Sequence, residues 1–308
     1  MPIHLALNKH STNYFPRDTY IWPQNNYMRI AGTVILYHPG SEVIENINSY
    51  HLQVDKLYVA DNTENKQSNI AEELSKSDKV QIIHDGINEG IAKRLNLAAK
   101  LAIEEGFDWL LTMDQDSKFE NGNMSFYLHC IQSYKQKENV AMYGIEYEKE
   151  PSTTNFHNME VLQLITSGSI INLQLFKNVG GFDEALFIDD VDTDYCYNSI
   201  TKGYKIIKFT NIFLNHSLGK VSNHTSLKTF KATSRTLHSP VRLYYMVRNY
   251  FYINGKYTST IFLQEKRKRK RDLLHRIKNN LLYGRSKLRT LKYITKGWMD
   301  YILKMTKL

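Results

Sequence analysis

Two groups of carboxylates and one histidine stand out by type and spacing. Asp114 and Asp116 follow the apolar run Leu110-Leu111-Thr112-Met113 and precede Ser117. A buried strand that empties into Asp-x-Asp presents hard oxygen ligands, suited to a divalent cation held against a nucleotide diphosphate. Alone, such triplets are mostly turn or cap chemistry. Asp189, Asp190, Asp192 and Asp194 then gather four carboxylates within six residues. Like charges this close repel unless a cation or a proton compensates, and the plain alternative is a solvated helix N-cap. His216 follows. Neutral imidazole suits Mn(II), although a lone histidine is more often an ordinary partly buried residue.

The elements around these residues alternate. Ile30–Tyr37 is a short apolar run closed by His38-Pro39-Gly40, a buried strand stopped by turn residues. A helical spacing from Glu42 to Leu52 leads to a second strand, Lys56–Ala60, ending at Asp61-Asn62-Thr63. A helix over Ile70–Leu74, a strand over Val80–Ile83 and an amphipathic helix from Gly90 to Glu105, closed by Gly106, precede strand Trp109–Met113. This order predicts an α/β fold with a mostly parallel sheet covered on both faces. Ligands of such sheets sit at the carboxyl ends of strands, where Tyr37, Asp61, Asn88 and Asp114 fall.

The second half is less regular. Ala141–Gly144, Leu162–Ile165, Tyr204–Phe209 and Ile212–Leu214 read as strands, with helices near Leu173–Asn178 and over Tyr195–Lys202. Leu243, Met246, Val247 and Tyr250 suit a helix that carries Arg242 and Arg248 on other faces. Those arginines suit a diphosphate, the donor's or a lipid carrier's, or simply a solvated face.

Charge divides the chain. Of 40 Lys/Arg and 31 Asp/Glu, the residues from Lys231 onward hold 20 and 3, so a mildly acidic body carries a strongly basic tail. Within that tail Lys266–Arg271 is a run of six cations. Two apolar stripes follow, Leu273, Leu274, Ile277, Leu281 and Leu282, then Leu288, Leu291, Ile294, Trp298, Tyr301, Ile302 and Met305, both of basic amphipathic helices. Apolar stripes beside the charge favour an anionic membrane surface for residues 266–308 over nucleic acid, and the aromatic stripes suit a homodimer as well. Two cysteines, Cys130 and Cys196, make no disulfide framework. No run of apolar residues is long enough to span a bilayer and no signal-peptide pattern opens the chain, so a cytoplasmic location is expected.

The order of motifs resembles the family-2, GT-A-type glycosyltransferases, in their rhamnosyltransferase-like branch. The matches are Val34–Pro39, Asp61-Asn62-Thr63, Asn88–Asn96, Leu111–Ser117, Gly180–Glu184, Phe187–Tyr195, His216–Gly219, Ser239–Tyr245 and Arg248-Asn249, covering about residues 30–255. The resemblance implies a GT-A fold, Rossmann-like, with a basic α-helical C-terminal appendage. Its divisions would be an irregular extension (1–29), a glycosyltransferase domain (30–255, nucleotide half 30–117 and acceptor half 118–255) and the basic helical region (256–308). It implies that Tyr37 flanks the nucleotide base, Asp61 accepts from the pyrimidine imide, and Asn88 and Gly90 offer a helix N-terminus to phosphate or sugar oxygens. Asp114, on the ribose and metal side, Asp116 and His216 would hold Mg(II) or Mn(II).

The resemblance further implies inverting transfer, with a general base among the acids. Many relatives carry an acidic pair where Asp189-Asp190 stands. The galactofuranosyltransferase-like pattern instead places the base at Asp192, before Thr193-Asp194-Tyr195. The rhamnosyl pattern has Tyr where this chain has Asp190. Asp192 is the expected base, with Asp190 and Asp189 behind it. The donor would be a nucleotide sugar, dTDP-rhamnose before UDP-hexose or UDP-galactofuranose. The acceptor would be a polyprenyl-diphosphate-linked glycan at the inner face of a bacterial cytoplasmic membrane. The contrary reading is a non-catalytic nucleotide- or nucleic-acid-binding protein.

Overall fold

In the computed structural model, β1 (Ile30–Leu36) lies between two parallel neighbours and is buried along nearly its whole length. Its sequence is therefore apolar on both faces rather than alternating. The structure describes residues 28–120, 122–147, 158–216, 221–225 and 232–304, with backbone alone for His216, 221–225 and 232–233. The expected irregular extension lies, up to residue 27, outside the described residues, as does Met305 of the last stripe.

After β1 come α1 (Glu42–Asn48), β2 (Lys56–Asp61), α2 (Asn69–Leu74), β3 (Val80–Ile83), α3 (Ile91–Glu104) and β4 (Trp109–Asp114). Strands β3, β2, β1 and β4 pair in parallel in that spatial order. Helix α3 packs through Ala92, Leu95, Ala98, Ala99 and Ala102, mostly small residues that let helix and sheet approach closely. Next are β5 (Ser117–Phe119), α4 (Asn123–Ser133), β6 (Val140–Glu146), β7 (Asn158–Glu160), β8 (Ser169–Asn172), α5 (Leu173–Val179), α6 (Val191–Thr201) and β9 (Lys205–His216). The sheet continues from β4 through β8, β6 and β9 to β5, antiparallel on both sides of β8 and parallel between β6 and β9. The result is a mixed α/β sheet with apolar clusters on both faces.

Three expectations need correction. Leu162–Ile165 forms no strand, since its apolar side chains pack without joining a ladder and Leu164 N turns to Cys196 Sγ. Tyr204–Phe209 and Ile212–Leu214 are one continuous strand, β9. Helix α6 starts at Val191 rather than Tyr195, which places Asp192 and Asp194 inside its first turn, where the helix dipole favours acids.

Among the remaining elements, β10 (Val221–Thr225) and β11 (Ala232–Thr236) form a small antiparallel pair. Then come α7 (Pro240–Lys256), capped by Ser239 with Pro240 in the first turn, α8 (Leu263–Tyr283) and α9 (Lys287–Ile302). Both tail helices pack on the body. Gly297 of α9 lies so close to α7 that a Cβ there would sit 2.5 Å from the Tyr244 carbonyl oxygen. Buried Asp300 accepts from the Tyr244 hydroxyl (2.8 Å) and Lys296 (2.9 Å). With Thr290, Gly297 and Asp300 turned inward, Leu288, Leu291, Trp298 and Ile302 remain exposed. The side of α9 that meets the body is thus lined by small and polar residues, with Tyr301 stacked on Phe251.

Candidate active site

A cleft of about 920 Å³ opens at the carboxyl ends of the parallel strands and is walled on its far side by α7, α8 and β11. Asp114, Asp116, Asp189, Asp190 and Asp192 all line it. The two groups of acids, separate in sequence, share one cavity.

The middle residue of the Asp-x-Asp triplet explains how its neighbours reach the cleft. Gln115 Oε1 accepts from Tyr37 N (2.8 Å), its Nε2 donates to the Tyr37 carbonyl (3.3 Å), and its own carbonyl accepts from Asn46 Nδ2 (2.8 Å). These bonds tie the end of β1 to the turn after β4. Asp116 leads directly into β5, in which Ser117 is paired with His216 of β9. The His216 backbone is therefore beside the triplet, and its side chain lies outside the described residues. Among the described residues no group of three His, Cys, Asp or Glu side chains is placed to hold a metal. Two carboxylates on the cleft wall are nevertheless the hard oxygen donors that Mg(II) or Mn(II) takes.

Of the residues expected to meet the nucleotide, Tyr37 is 45% exposed at the cleft edge, its hydroxyl donating to Glu64 (3.2 Å). A ring so placed can stack on a base. Asp61 is fully buried and accepts from Thr63 N (3.0 Å) and Ser68 N (2.8 Å). Burial opposes its charge, and these hydrogen bonds outweigh it, holding the carboxyl below its usual range. Its neighbour Asn62 reaches the cleft instead, bridging the Gly90 carbonyl (3.2 Å) and the buried Arg94 (2.8 Å). The first amides of α3 are also engaged. Gly90 N donates to Asn88 Oδ1 (3.1 Å) and Ile91 N to the Phe187 carbonyl (2.6 Å). Gly90 adopts φ +79°, and a Cβ there would overlap the Phe187 ring and carbonyl. Thus the expected phosphate-facing amides bind Asn88 and the acid loop.

That loop is strained. Phe187, Asp189 and Asp190 all have positive φ (62°, 62° and 63°), at an expense of about 1–3 kcal/mol each. Buried Asn249 holds it, with Nδ2 donating to the carbonyls of Leu186 (3.0 Å), Ile188 (2.8 Å) and Asp189 (2.8 Å). Arg248 donates to the Leu186 carbonyl (3.1 Å) and to Asn249 Oδ1 (2.7 Å). It is 4% exposed and off the cleft wall. The structure therefore makes Arg248 a support of the acid loop, contrary to the expected diphosphate contact.

Each acid then has a distinct environment. Asp189 forms a forked pair with Arg242, closest at 3.0 Å. Asp190 pairs with Arg269 at 2.8 Å, a residue from the middle of the six-cation run. Asp194 is buried against Lys256 (2.8 Å) and the Tyr257 hydroxyl (2.8 Å), away from the cleft. Asp192 accepts from Thr193 N (2.7 Å) and, among the described residues, has no cation beside it. Burial first, then the charge of Asp190, pushes its carboxyl up to about 7. Such a group accepts a proton near neutrality and releases it readily.

We therefore expect kcat/KM to rise with pH and level off once Asp192 ionises at about 7. A profile flat between about pH 5 and 8 would contradict this. Linkage gives a second readout. The folded chain retains this proton above the ordinary value of 3.8, so stability falls as pH climbs from there to about 7. Asp192→Asn should remove that slope.

Sequence reasoning gave no role to Asn249, Arg269, or the cleft-lining His275 and Arg276 of α8. Their only signal was membership of the Arg-Asn pair and of the basic tail.

Residues 41–187 match the model of "Glycosyl transferase family 2". The dTDP-rhamnosyl transferase RfbF of Shigella flexneri is 27% identical over 249 residues, 74% of this chain and 80% of that protein. Among solved structures, S. aureus TarS 1-349 in complex with UDP-GlcNAc superposes with a TM-score of 0.52 at 15% identity, over 90% of this chain and 82% of that one. GalNAc-T7 with UDP, GalNAc and Mn2+ gives 0.50 at 10% identity, over 62% of this chain and 44% of that one. The cleft and its acids thus sit in a GT-A fold, and residues 41–187 carry a glycosyl transferase family 2 domain.

Proposed function

We propose that the protein is an inverting rhamnosyltransferase that moves L-rhamnose from dTDP-rhamnose onto a lipid-linked or growing cell-surface polysaccharide. The observation that carries the mechanism is Asp192, the acid of the 189–194 group without a cation beside it among the described residues, in the same cavity as Asp114 and Asp116. The rhamnosyl donor is supported by the likeness to the Shigella enzyme. In the reaction, the acceptor hydroxyl attacks C1 of the sugar as Asp192 takes its proton. The C1–oxygen bond breaks, the nucleoside diphosphate leaves with the electron pair, and the configuration at C1 inverts. Asp189 and Asp190, ion-paired with Arg242 and Arg269, frame Asp192. Asp114, Asp116 and His216 would hold Mg(II) or Mn(II), which supplies charge stabilisation to the departing diphosphate.

A thermal-shift panel of nucleotide sugars with and without Mn(II) or Mg(II) tests the donor. Mass action should raise Tm most for dTDP-rhamnose with metal. A larger shift with a UDP-sugar would transfer the same mechanism to that donor, and no shift with any would contradict the reading.

The tail helices would dock on the inner face of the cytoplasmic membrane. No helix of the described residues is long and apolar enough to cross a membrane. The exposed stripe Leu288, Leu291, Trp298 and Ile302 nevertheless lies among Lys287, Arg289 and Lys292, the pattern of an interfacial helix. Flotation with anionic liposomes at low salt, lost at high salt, is expected. Salt-independent self-association without lipid binding would instead assign the stripe to a homodimer.

A further inference from the structure

The far wall of the cleft carries more positive charge than the acid loop uses. Arg242 is committed to Asp189, and its ionised form, disfavoured by burial, is held by Asp189, Asp114 and Asp116. Arg276 of α8 lines the same cleft. Among the described residues its guanidinium reaches only Met246 Sδ, at 4.0 Å. His275 lies beside it on the wall. His238, half-buried between α7 and α8, is driven down to about 4 by burial and by the charges of Arg242 and Arg276. It therefore stays neutral while two guanidiniums face it. The cleft carboxylates offset Arg242, whereas Arg276 makes no ion pair among the described residues, and its guanidinium suits an added anion.

The position of Arg276 narrows the anion's identity. Helix α8 also presents exposed Leu274 and Leu282, and α9 continues the apolar surface with Leu288 and Leu291. One helix therefore carries a cationic cleft wall and an exposed apolar face. The matching ligand has a diphosphate head and a hydrocarbon tail. We infer that Arg276, flanked by His275 and Arg242, seats the diphosphate of a lipid-linked acceptor, apart from the donor diphosphate at Asp114 and Asp116. This rests on the transferase reading above, and it places the acceptor's sugar end towards Asp192.

The test is calorimetric titration of farnesyl diphosphate, as a probe, into the full chain saturated with dTDP or UDP. Wild type should bind it, farnesol should not bind, and inorganic diphosphate should bind more weakly. Arg276→Gln, an exposed change, should weaken farnesyl diphosphate by about tenfold or more, the worth of a charged hydrogen bond, while leaving nucleotide affinity unchanged. Equal affinity of wild type and Arg276→Gln would overturn the inference. So would displacement of farnesyl diphosphate by the nucleotide, which would give the arginine to the donor, or equal affinity for inorganic diphosphate, which would remove the lipid. If wild type binds neither nucleotide, the transferase reading fails by itself. Farnesyl diphosphate is then titrated into the free chain, where weaker binding by Arg276→Gln supports the seat and equal binding overturns it.

Discussion

Replacing Asp192 by asparagine is expected to lower kcat by about a hundred- to ten-thousandfold, the usual contribution of a general base. The change is nearly isosteric and removes only the ability to take a proton. Asp192 sits in the first turn of α6 with its carboxylate on Thr193 N, and an asparagine oxygen keeps that bond. Donor binding should survive, because the Tyr37 edge and the Asp114–Asp116 turn are built by β1 and β4 rather than by α6. The pH dependence near 7 should vanish with the carboxyl. Asp190 is the natural rival. Its carboxyl is likewise raised, by burial that outweighs the charge of Arg269, yet it remains in an ion pair that a base would have to leave. Full turnover by Asp192→Asn, with loss in Asp190→Asn, would move the base to Asp190.

The second large effect is expected at a residue that touches no substrate. Asn249→Ala removes the amide that gathers three loop carbonyls and the oxygen that Arg248 holds. Unfolding free energy should fall by about 2–4 kcal/mol, the range for buried polar groups left unsatisfied. Denaturant titration measures it. The strained turn at Phe187, Asp189 and Asp190 should then relax, so kcat should drop while nucleotide affinity changes little. Asn249→Asp keeps an acceptor for Arg248 but loses the amide donor, and is expected to rescue stability in part and kcat hardly at all. A variant with normal kcat would show that the loop holds its shape without this support. Should Asn249→Ala fail to fold, Arg248→Lys provides the milder version, since lysine lacks the forked donor.

Much of the parallel-stranded half was legible because buried parallel strands are continuous apolar runs with abrupt polar ends. Ile30–Leu36, Lys56–Asp61 and Trp109–Asp114 declare themselves that way, and the half-buried edge strand Val80–Ile83 does so by its β-branched residues. The three-residue strand Ser117–Phe119 did not, for it is too short to show a period. Leu162–Ile165 misled for the opposite reason, apolar side chains being buried without a ladder. At the site, the acids were visible by type and their division of labour was not. Asp189, Asp190, Asp192 and Asp194 differ only in which cation the fold brings to them, Arg242, Arg269, none among the described residues, and Lys256. Arg269 was hidden in a run of six like residues, because only the packing of α8 selects the one that meets the acid loop. Positive φ at three residues without glycine was also hidden, since the force that holds it comes from Asn249, some sixty residues away.

In the proposed reaction, proton transfer falls to Asp192 and donor binding with its metal to the Asp114–Asp116 turn. Titration calorimetry of dTDP-rhamnose with Mn(II) into Asp192→Asn and Asp116→Asn, side by side with wild type, measures that separation. The predicted result is wild-type affinity in Asp192→Asn and loss of the metal-dependent part of binding in Asp116→Asn. Lost donor affinity in Asp192→Asn, with Asp116→Asn binding as wild type, would contradict it.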